Sequence, residues 1–215
     1  MKNKKVILVL APHTDDGELG AGGYIHQSIE SGASVIYIAF SDCKESVPDG
    51  FKQDTLSNEC RKATKTLGIQ DLRILDFPVR RLSEFRQKIL DQLIELRNEL
   101  NPDEILTPST FDIHQDHNVI TTEAIRAFKN RTILGYELPW NCLEFKSHFF
   151  VELSFENLNA KMQSLTKYES QKNRTYFSDG YLSEYAKFRG GLVNLEYAEV
   201  FEVIRKVQKI QIKDT

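Results

Sequence analysis

Two short polar runs in this 215-residue chain carry the residue types that do chemistry. The first is His13-Thr14-Asp15-Asp16 and the second is Asp112-Ile113-His114-Gln115-Asp116-His117. In each run a histidine stands three residues before a second donor, His13 before Asp16 and His114 before His117, a spacing that lets both side chains of a pair point the same way from a turn. Two imidazoles and one carboxylate make the ligand set of a catalytic zinc, with the fourth position open to water. Such a site brings the pKa of bound water to about 7 and polarises a carbonyl. The same donors suit iron(II) or manganese. Hydrolysis there also needs a carboxylate not spent on the metal, as the base that takes the water proton. Asp15, beside Asp16, fits that part. A helix-capping turn accounts for one aspartate in the first run, but not for two with a histidine beside them.

These residues need elements to position them. The run Val6-Ile7-Leu8-Val9-Leu10 has no polar alternation, as expected of a strand buried on both faces of a parallel sheet. The spacing predicts helices over Glu18–Ser31, Leu56–Leu67, Leu82–Leu100 and Val119–Phe128, and strands over Val35–Phe40, Leu72–Phe77, Glu104–Thr107 and Thr132–Glu137. Both polar runs therefore follow strand ends, the first and the fourth. In a doubly wound sheet those strands can be neighbours at the switch point, where ligands bind. Beyond residue 137 the pattern is less regular: a strand over Phe149–Leu153, helices over Glu156–Tyr168 and Tyr181–Arg189, and a closing strand over Ala198–Val207. The fold class expected is α/β, a Rossmann-like, doubly wound, mostly parallel sheet, as one domain over residues 1–215. Gly17, Gly20, Gly22 and Gly23 do not follow the dinucleotide order G-x-G-x-x-G, so they are read as letting the helix start approach the motif loop closely.

The bulk numbers restrict the function classes. At 40% hydrophobic and 27% charged the chain is an ordinary globular protein, and a net charge of −3 gives no basis for nucleic-acid binding. Cys43, Cys60 and Cys142 lie far apart with no C-x-x-C pair, against a disulfide framework or a thiolate zinc and in favour of a reducing cytoplasm. The basic start is followed by too few apolar residues for a secretory signal, and no window approaches a membrane span.

The segment Pro12-His13-Thr14-Asp15-Asp16-x-x-Leu19-Gly20-x-Gly22-Gly23 resembles the N-terminal signature of the PIG-L/LmbE family of zinc-dependent de-N-acetylases, and His114-Gln115-Asp116-His117 resembles its second signature. Thr14 and Gln115 replace customary prolines at positions that supply no chemistry. Tyr197-Ala198-Glu199 resembles a tail motif of the family. The resemblance implies His13, Asp16 and His117 as metal ligands, Asp15 as general base, and His114 as the group that stabilises or protonates the tetrahedral intermediate. It also makes Asp116 the carboxylate that orients and charges His114. Glu59 matches a family glutamate, but Leu56 stands where members acting on cysteinyl-sugar conjugates have arginine, which speaks against a thiol precursor. The activity implied is removal of the acetyl group from an N-acetylglucosamine-like sugar; the alternatives are a deacylase on another amide and a non-catalytic Rossmann-like module. The partner implied is a small-molecule or glycoconjugate substrate, with the oligomeric state left open. Arg80 and Arg81 are expected on the rim of the site, with Arg80 as a clamp for an anionic part of the substrate. Trp140 reads as core or sugar platform, core favoured, and the polar stretch Tyr168, Gln171, Lys172 and Arg174 as a candidate overhang.

Overall fold

The computed structural model describes residues 4–178 and 180–208. The opening apolar run forms β1 (Val6–Ala11). It is followed by α1 (Asp16–Glu30), β2 (Ser34–Ala39), α2 (Thr55–Thr66), β3 (Asp71–Ile74), α3 (Arg86–Leu100), β4 (Glu104–Pro108), α4 (Gln115–Ala127) and β5 (Thr132–Tyr136). Then come β6 (Phe149–Glu152), α5 (Phe155–Leu165), α6 (Tyr181–Gly191) and β7 (Ala198–Arg205). One seven-stranded sheet runs in the order β3-β2-β1-β4-β5-β7-β6. Strands β1 to β5 are parallel, and β7 runs antiparallel to both β5 and β6. The doubly wound expectation therefore holds. β1 and β4 are direct neighbours, with Val9 opposite Leu106, so the two polar runs leave adjacent strands at the switch point.

Side chains of β1 alternate between two cores. Ile7, Val9 and Ala11 pack on the face covered by α1, α2 and α5, and Leu8 and Leu10 on the face covered by α3 and α4. Burial on both sides is why the strand shows no polar period.

Helix starts differ from the periodicity in an instructive way. α1 begins at Asp16 rather than Glu18, and α4 at Gln115 rather than Val119. In both cases the polar run itself forms the first turn, and a turn facing a pocket carries no apolar stripe. Leu82–Phe85 is a 3-10 turn preceding α3, and α5 stops at Leu165, leaving Tyr168 outside it.

Glycines let α1 lie close on the sheet, against strand aromatics rather than the motif loop as expected. A Cβ at Gly17 would meet the Tyr37 ring, and one at Gly20 the Tyr136 ring. α1 is interrupted at Ala21 (φ −142°, ψ 15°). The Gly23 and Tyr24 N–H groups past the break donate to the Glu199 carboxylate on β7, at 3.0 and 2.7 Å, and buried Lys161 on α5 reaches the same carboxylate at 2.7 Å. The tail motif thus braces the helix that carries the first polar run. Farther along β7, Glu202 accepts from Ser109 Oγ and the Thr110 N–H, both at 2.8 Å, holding the loop that leads into the second run. Among the described residues no helix is long and apolar enough to cross a membrane.

Candidate active site

His13 and Asp16, from the β1–α1 turn, meet His117, on the first turn of α4. His13 Nδ1 lies 3.2 Å from Asp16 Oδ2 and 3.2 Å from His117 Nε2, and His117 Nε2 lies 3.3 Å from Asp16 Oδ2. Ligands on three corners of a tetrahedron with bonds of ~2.0–2.1 Å stand about 3.3 Å apart. The triangle therefore has the size a tetrahedral divalent cation requires. His114 is close as well: one nitrogen from each of His13, His114 and His117 lies within 4.8 Å of the others. Its Nδ1, however, faces the Asp116 N–H at 3.2 Å as the N-cap of α4.

Each imidazole of the triangle is backed by a buried carboxylate. Asp116 Oδ2 lies 3.0 Å from His13 Nε2, and Asp112 Oδ2 lies 2.7 Å from His117 Nδ1. With a metal bound, those contacts would carry the ring protons on the outer nitrogens and free the triangle nitrogens to ligate. The pairing of Asp116 with His114 expected from the sequence is corrected here. The Asp116 carboxylate turns to His13 and also accepts the Arg80 N–H at 2.6 Å and the Leu82 N–H at 3.2 Å, while His114 meets only its backbone N–H. Two residues apart at a helix start, the side chains of 114 and 116 point to different sides. Asp112, which holds His117 Nδ1 and the His114 N–H, is a carboxylate of the cluster that sequence reasoning missed. Its place inside the second polar run was visible, but a side chain reaching back from loop to helix follows no period.

The carboxylates make this a place where positive charge is stabilised. Burial works against protonated imidazole, yet Asp16 and Asp116 lift His13 to about 9, and Asp16 and Asp112 lift His117 to about 10. Against its own burial, Asp16 is held well below the usual carboxylate range by His117 and His13. Burial and the Asp16 charge push Asp15 up to about 6, offset in part by His13 and Arg174. Burial, His117 and His13 push His114 down to about 4, opposite to the upward shift expected of an Asp116 partner. Asp15 has no side-chain hydrogen-bond partner among the described residues and faces the pocket.

That pocket has a volume of about 590 Å³. Its floor is the cluster just described. One part of its lining is apolar, formed by Cys43, Val47, Leu56 and Val79. Trp140 and Tyr176 also line it, stacked at 3.9 Å and 9°. Trp140 packs on the core, as favoured, and borders the pocket as well. Arg80 is on the rim as expected, whereas Arg81 turns outward to Glu84. Of the four residues expected to overhang, Gln171 and Arg174 line the pocket, Lys172 is exposed away from its lining, and Tyr168 is buried beneath the motif loop, its Oη 2.6 Å from the Thr14 carbonyl and 2.8 Å from Glu18 Oε1. Tyr37 meets the other oxygen of Glu18, whose carboxyl burial pushes up to about 8.

The model of the GlcNAc-PI de-N-acetylase (PIG-L) family matches residues 8–128, more than half of the chain. The chain belongs to this family. A diacetylchitobiose deacetylase of Thermococcus kodakarensis is 24% identical over 220 residues, which cover 91% of this chain and 81% of that protein. The solved N,N'-diacetylchitobiose deacetylase of Pyrococcus horikoshii superposes with a TM-score of 0.78 at 20% identity, covering 94% of this chain and 85% of that one. A 4-carboxy-2-hydroxymuconate hydratase from Pseudomonas putida superposes with a TM-score of 0.79 at 17% identity, covering 97% and 100%. PIG-L members thus share a fold that also serves another reaction, so function must be argued from the residues of the site. Two PIG-L positions are informative in that respect. Leu56 is buried in the pocket lining, and Glu59 points away from it to hold Ser170 through its N–H at 2.9 Å and its Oγ at 2.6 Å.

Proposed function

We propose that the chain is a zinc-dependent deacetylase that hydrolyses the 2-acetamido group of an N-acetylglucosamine-like sugar or sugar conjugate. The reading takes residues 1–215 as one deacetylase domain working in a reducing cytoplasm, in keeping with three unpaired cysteines. What carries it is one arrangement: three donor atoms 3.2–3.3 Å apart beside a carboxylate without a side-chain partner, on the floor of an open pocket. In this reading His13 Nδ1, Asp16 Oδ2 and His117 Nε2 hold the metal. Zinc bound by such donors lowers the pKa of water to about 7 and polarises a carbonyl, and iron(II) or manganese suits the same set.

The chain's own groups do the rest. Asp15 accepts a proton from the attacking water and returns it to the amine as the C–N bond breaks. His114, neutral and accepting a backbone N–H at Nδ1, keeps its proton on Nε2 and donates it as a hydrogen bond to the developing oxyanion. Asp112 and Asp116 act one layer out, holding His117 and His13 in their tautomers. Arg80 meets the substrate at the rim.

A second reading, a deacylase for a larger acyl group, is favoured by the apolar lining of Cys43, Val47, Leu56 and Val79. The test is release of the carboxylic acid from N-acetyl, N-propionyl and N-butyryl glucosaminides by protein of measured metal content, before and after chelation. Acetate release that chelator abolishes and zinc restores supports the first reading. Faster release of the longer acids supports the second, and no release from fully metallated protein overturns both.

A further inference from the structure

At the end of the sheet opposite the reacting cluster, three cations gather around an open hollow of about 550 Å³. Arg97 comes from the last turn of α3, and Lys129 and Arg131 from the loop between α4 and β5; Asn98, Asn101 and Asn130 complete the lining. The hollow lies where β4 and β5 begin, whereas the cluster lies where β1 and β4 end. β4 has five residues, so at ~3.3 Å per residue about 16 Å of sheet separates the two places. That exceeds the ~8 Å screening length of physiological salt. A ligand in the hollow therefore acts apart from the reaction.

Other arginines of the chain are paired with carboxylates, among them Arg73, Arg86, Arg126 and Arg189. Among the described residues Arg97, Lys129 and Arg131 are in no ion pair. The ordinary reason for cations here is that α3 and α4 both end at the hollow, each helix end carrying about half a negative charge. Arg97 answers it: Nη1 donates to the Ala127 carbonyl of α4 at 2.8 Å, and Nε and Nη2 to Asn98 Oδ1, both at 3.3 Å. Lys129 and Arg131 go beyond it. With about one negative charge on two helix ends, three cations leave about two positive charges uncompensated.

Arg131 is the sharper case, because it is only 8% exposed. Its Nη2 donates to Asn101 Oδ1 and its Nη1 to the Asn130 carbonyl at 3.4 Å, a weak bond. Its Nε has no acceptor, and among the described residues no other buried side-chain nitrogen or oxygen is left in that state. A guanidinium does not lose its proton in a protein. Taken out of water without a counter-ion, it carries a desolvation cost that an adjacent anion offsets.

We propose that this hollow is a second binding site, for a phosphate group held by Arg97, Lys129 and Arg131, either as the free ion or as a small phosphomonoester. Guanidinium forks match the edge of a tetrahedral oxyanion, and the lysine adds a point charge. The three asparagines offer amide donors and acceptors to the hydroxyl groups of an ester. An occupied site ties the end of α3 to the loop after α4, the helix whose first turn carries His117. The site stands whether or not the deacetylase reading does.

The experiment follows backbone amide resonances of the zinc-loaded chain during titration with inorganic phosphate and, separately, with glycerol 3-phosphate. Ionic strength is held constant with chloride. The expected result is saturable shifts of the Asn98, Asn101, Asn130 and Arg131 amides, with a Kd on the order of 1 mM or lower, the scale of two or three charge-assisted hydrogen bonds. The arm that binds more tightly names the free ion or the ester as the ligand. Lys129 is exposed and makes no hydrogen bond among the described residues, so Lys129→Glu keeps the fold and should raise Kd on the order of tenfold. Arg97→Gln should weaken binding as well, and Arg97→Lys, which keeps the charge, should restore most of it. Shifts that stay linear and match those of chloride overturn the proposal. So does a Kd that Lys129→Glu leaves unchanged, or a response confined to the His13, Asp15 and Arg80 amides of the other pocket.

Discussion

Replacing Asp112 by asparagine removes one charge and converts one acceptor into a donor at a residue only 3% exposed. The carboxylate lies 2.7 Å from His117 Nδ1 and accepts the His114 N–H at 2.8 Å. An amide has one acceptor oxygen and an NH2 group, so it satisfies one of these donors and opposes the other. If its oxygen stays on the His114 N–H, its NH2 faces Nδ1 of His117. The ring proton then moves to Nε2, the nitrogen that lies 3.2 Å from His13 Nδ1 and 3.3 Å from Asp16 Oδ2. A metal has to displace that tautomer before it binds. Loss of a carboxylate behind a ligating histidine costs 10- to 100-fold in metal affinity, which is about 1.4–2.7 kcal/mol. The assay is competition for zinc against a chromophoric chelator, for the unsubstituted chain and Asp112→Asn at one pH, with thermal unfolding followed to verify the fold. A folded variant whose zinc dissociation constant stays within twofold of the original would refute the idea that Asp112 sets the His117 tautomer.

Three further outcomes are expected. Asp15→Asn should bind metal as before and lose on the order of 10²–10⁴ in kcat, read by acetate release at matched metal occupancy; near-normal kcat would place the base elsewhere. Tyr168→Phe removes the hydroxyl shared by the Thr14 carbonyl and Glu18, and the unfolding free energy in urea should fall by about 1–3 kcal/mol. An unchanged urea midpoint would show that the loop is held without it. Gly20→Ala drives a methyl group into the Tyr136 ring and should cost about 1–3 kcal/mol as overpacking, measured the same way; equal stability would mean that α1 shifts freely on the sheet.

The two polar runs and their meeting were legible because each follows a strand whose apolar character was plain. A doubly wound sheet makes the first and fourth strands neighbours, and β1 does pair with β4. Which carboxylate serves which imidazole was not legible. Proximity in sequence put Asp116 with His114, whereas direction at the start of α4 sends it to His13 across 103 residues. The part of the pocket built by Gln171 and Arg174 was legible only as polarity and that of Tyr176 not at all, since these residues lie in or beside short turns after α5 that carry no period. The glycines were read as letting the helix start approach the motif loop, whereas they approach the sheet and α5. The rings that Gly17 and Gly20 approach, Tyr37 and Tyr136, sit on strands whose order had first to be known.

The brace from Glu199 to the broken middle of α1 has a consequence for the order of events in synthesis. The Gly23 N–H and its acceptor are 176 residues apart, so the two amides past the Ala21 break have no partner while the first 137 residues emerge as a regular β-α series. Contacts of such sequence separation close late and slow the folding of the whole unit. A nascent chain carrying both polar runs, but not yet the last strand, holds α1 with two open amides and a sheet whose β5 edge is uncovered, the condition in which partly folded chains aggregate. Strand β7 therefore works as a closing clasp, and the brace on α1 forms only after Glu199 has been added to the growing chain.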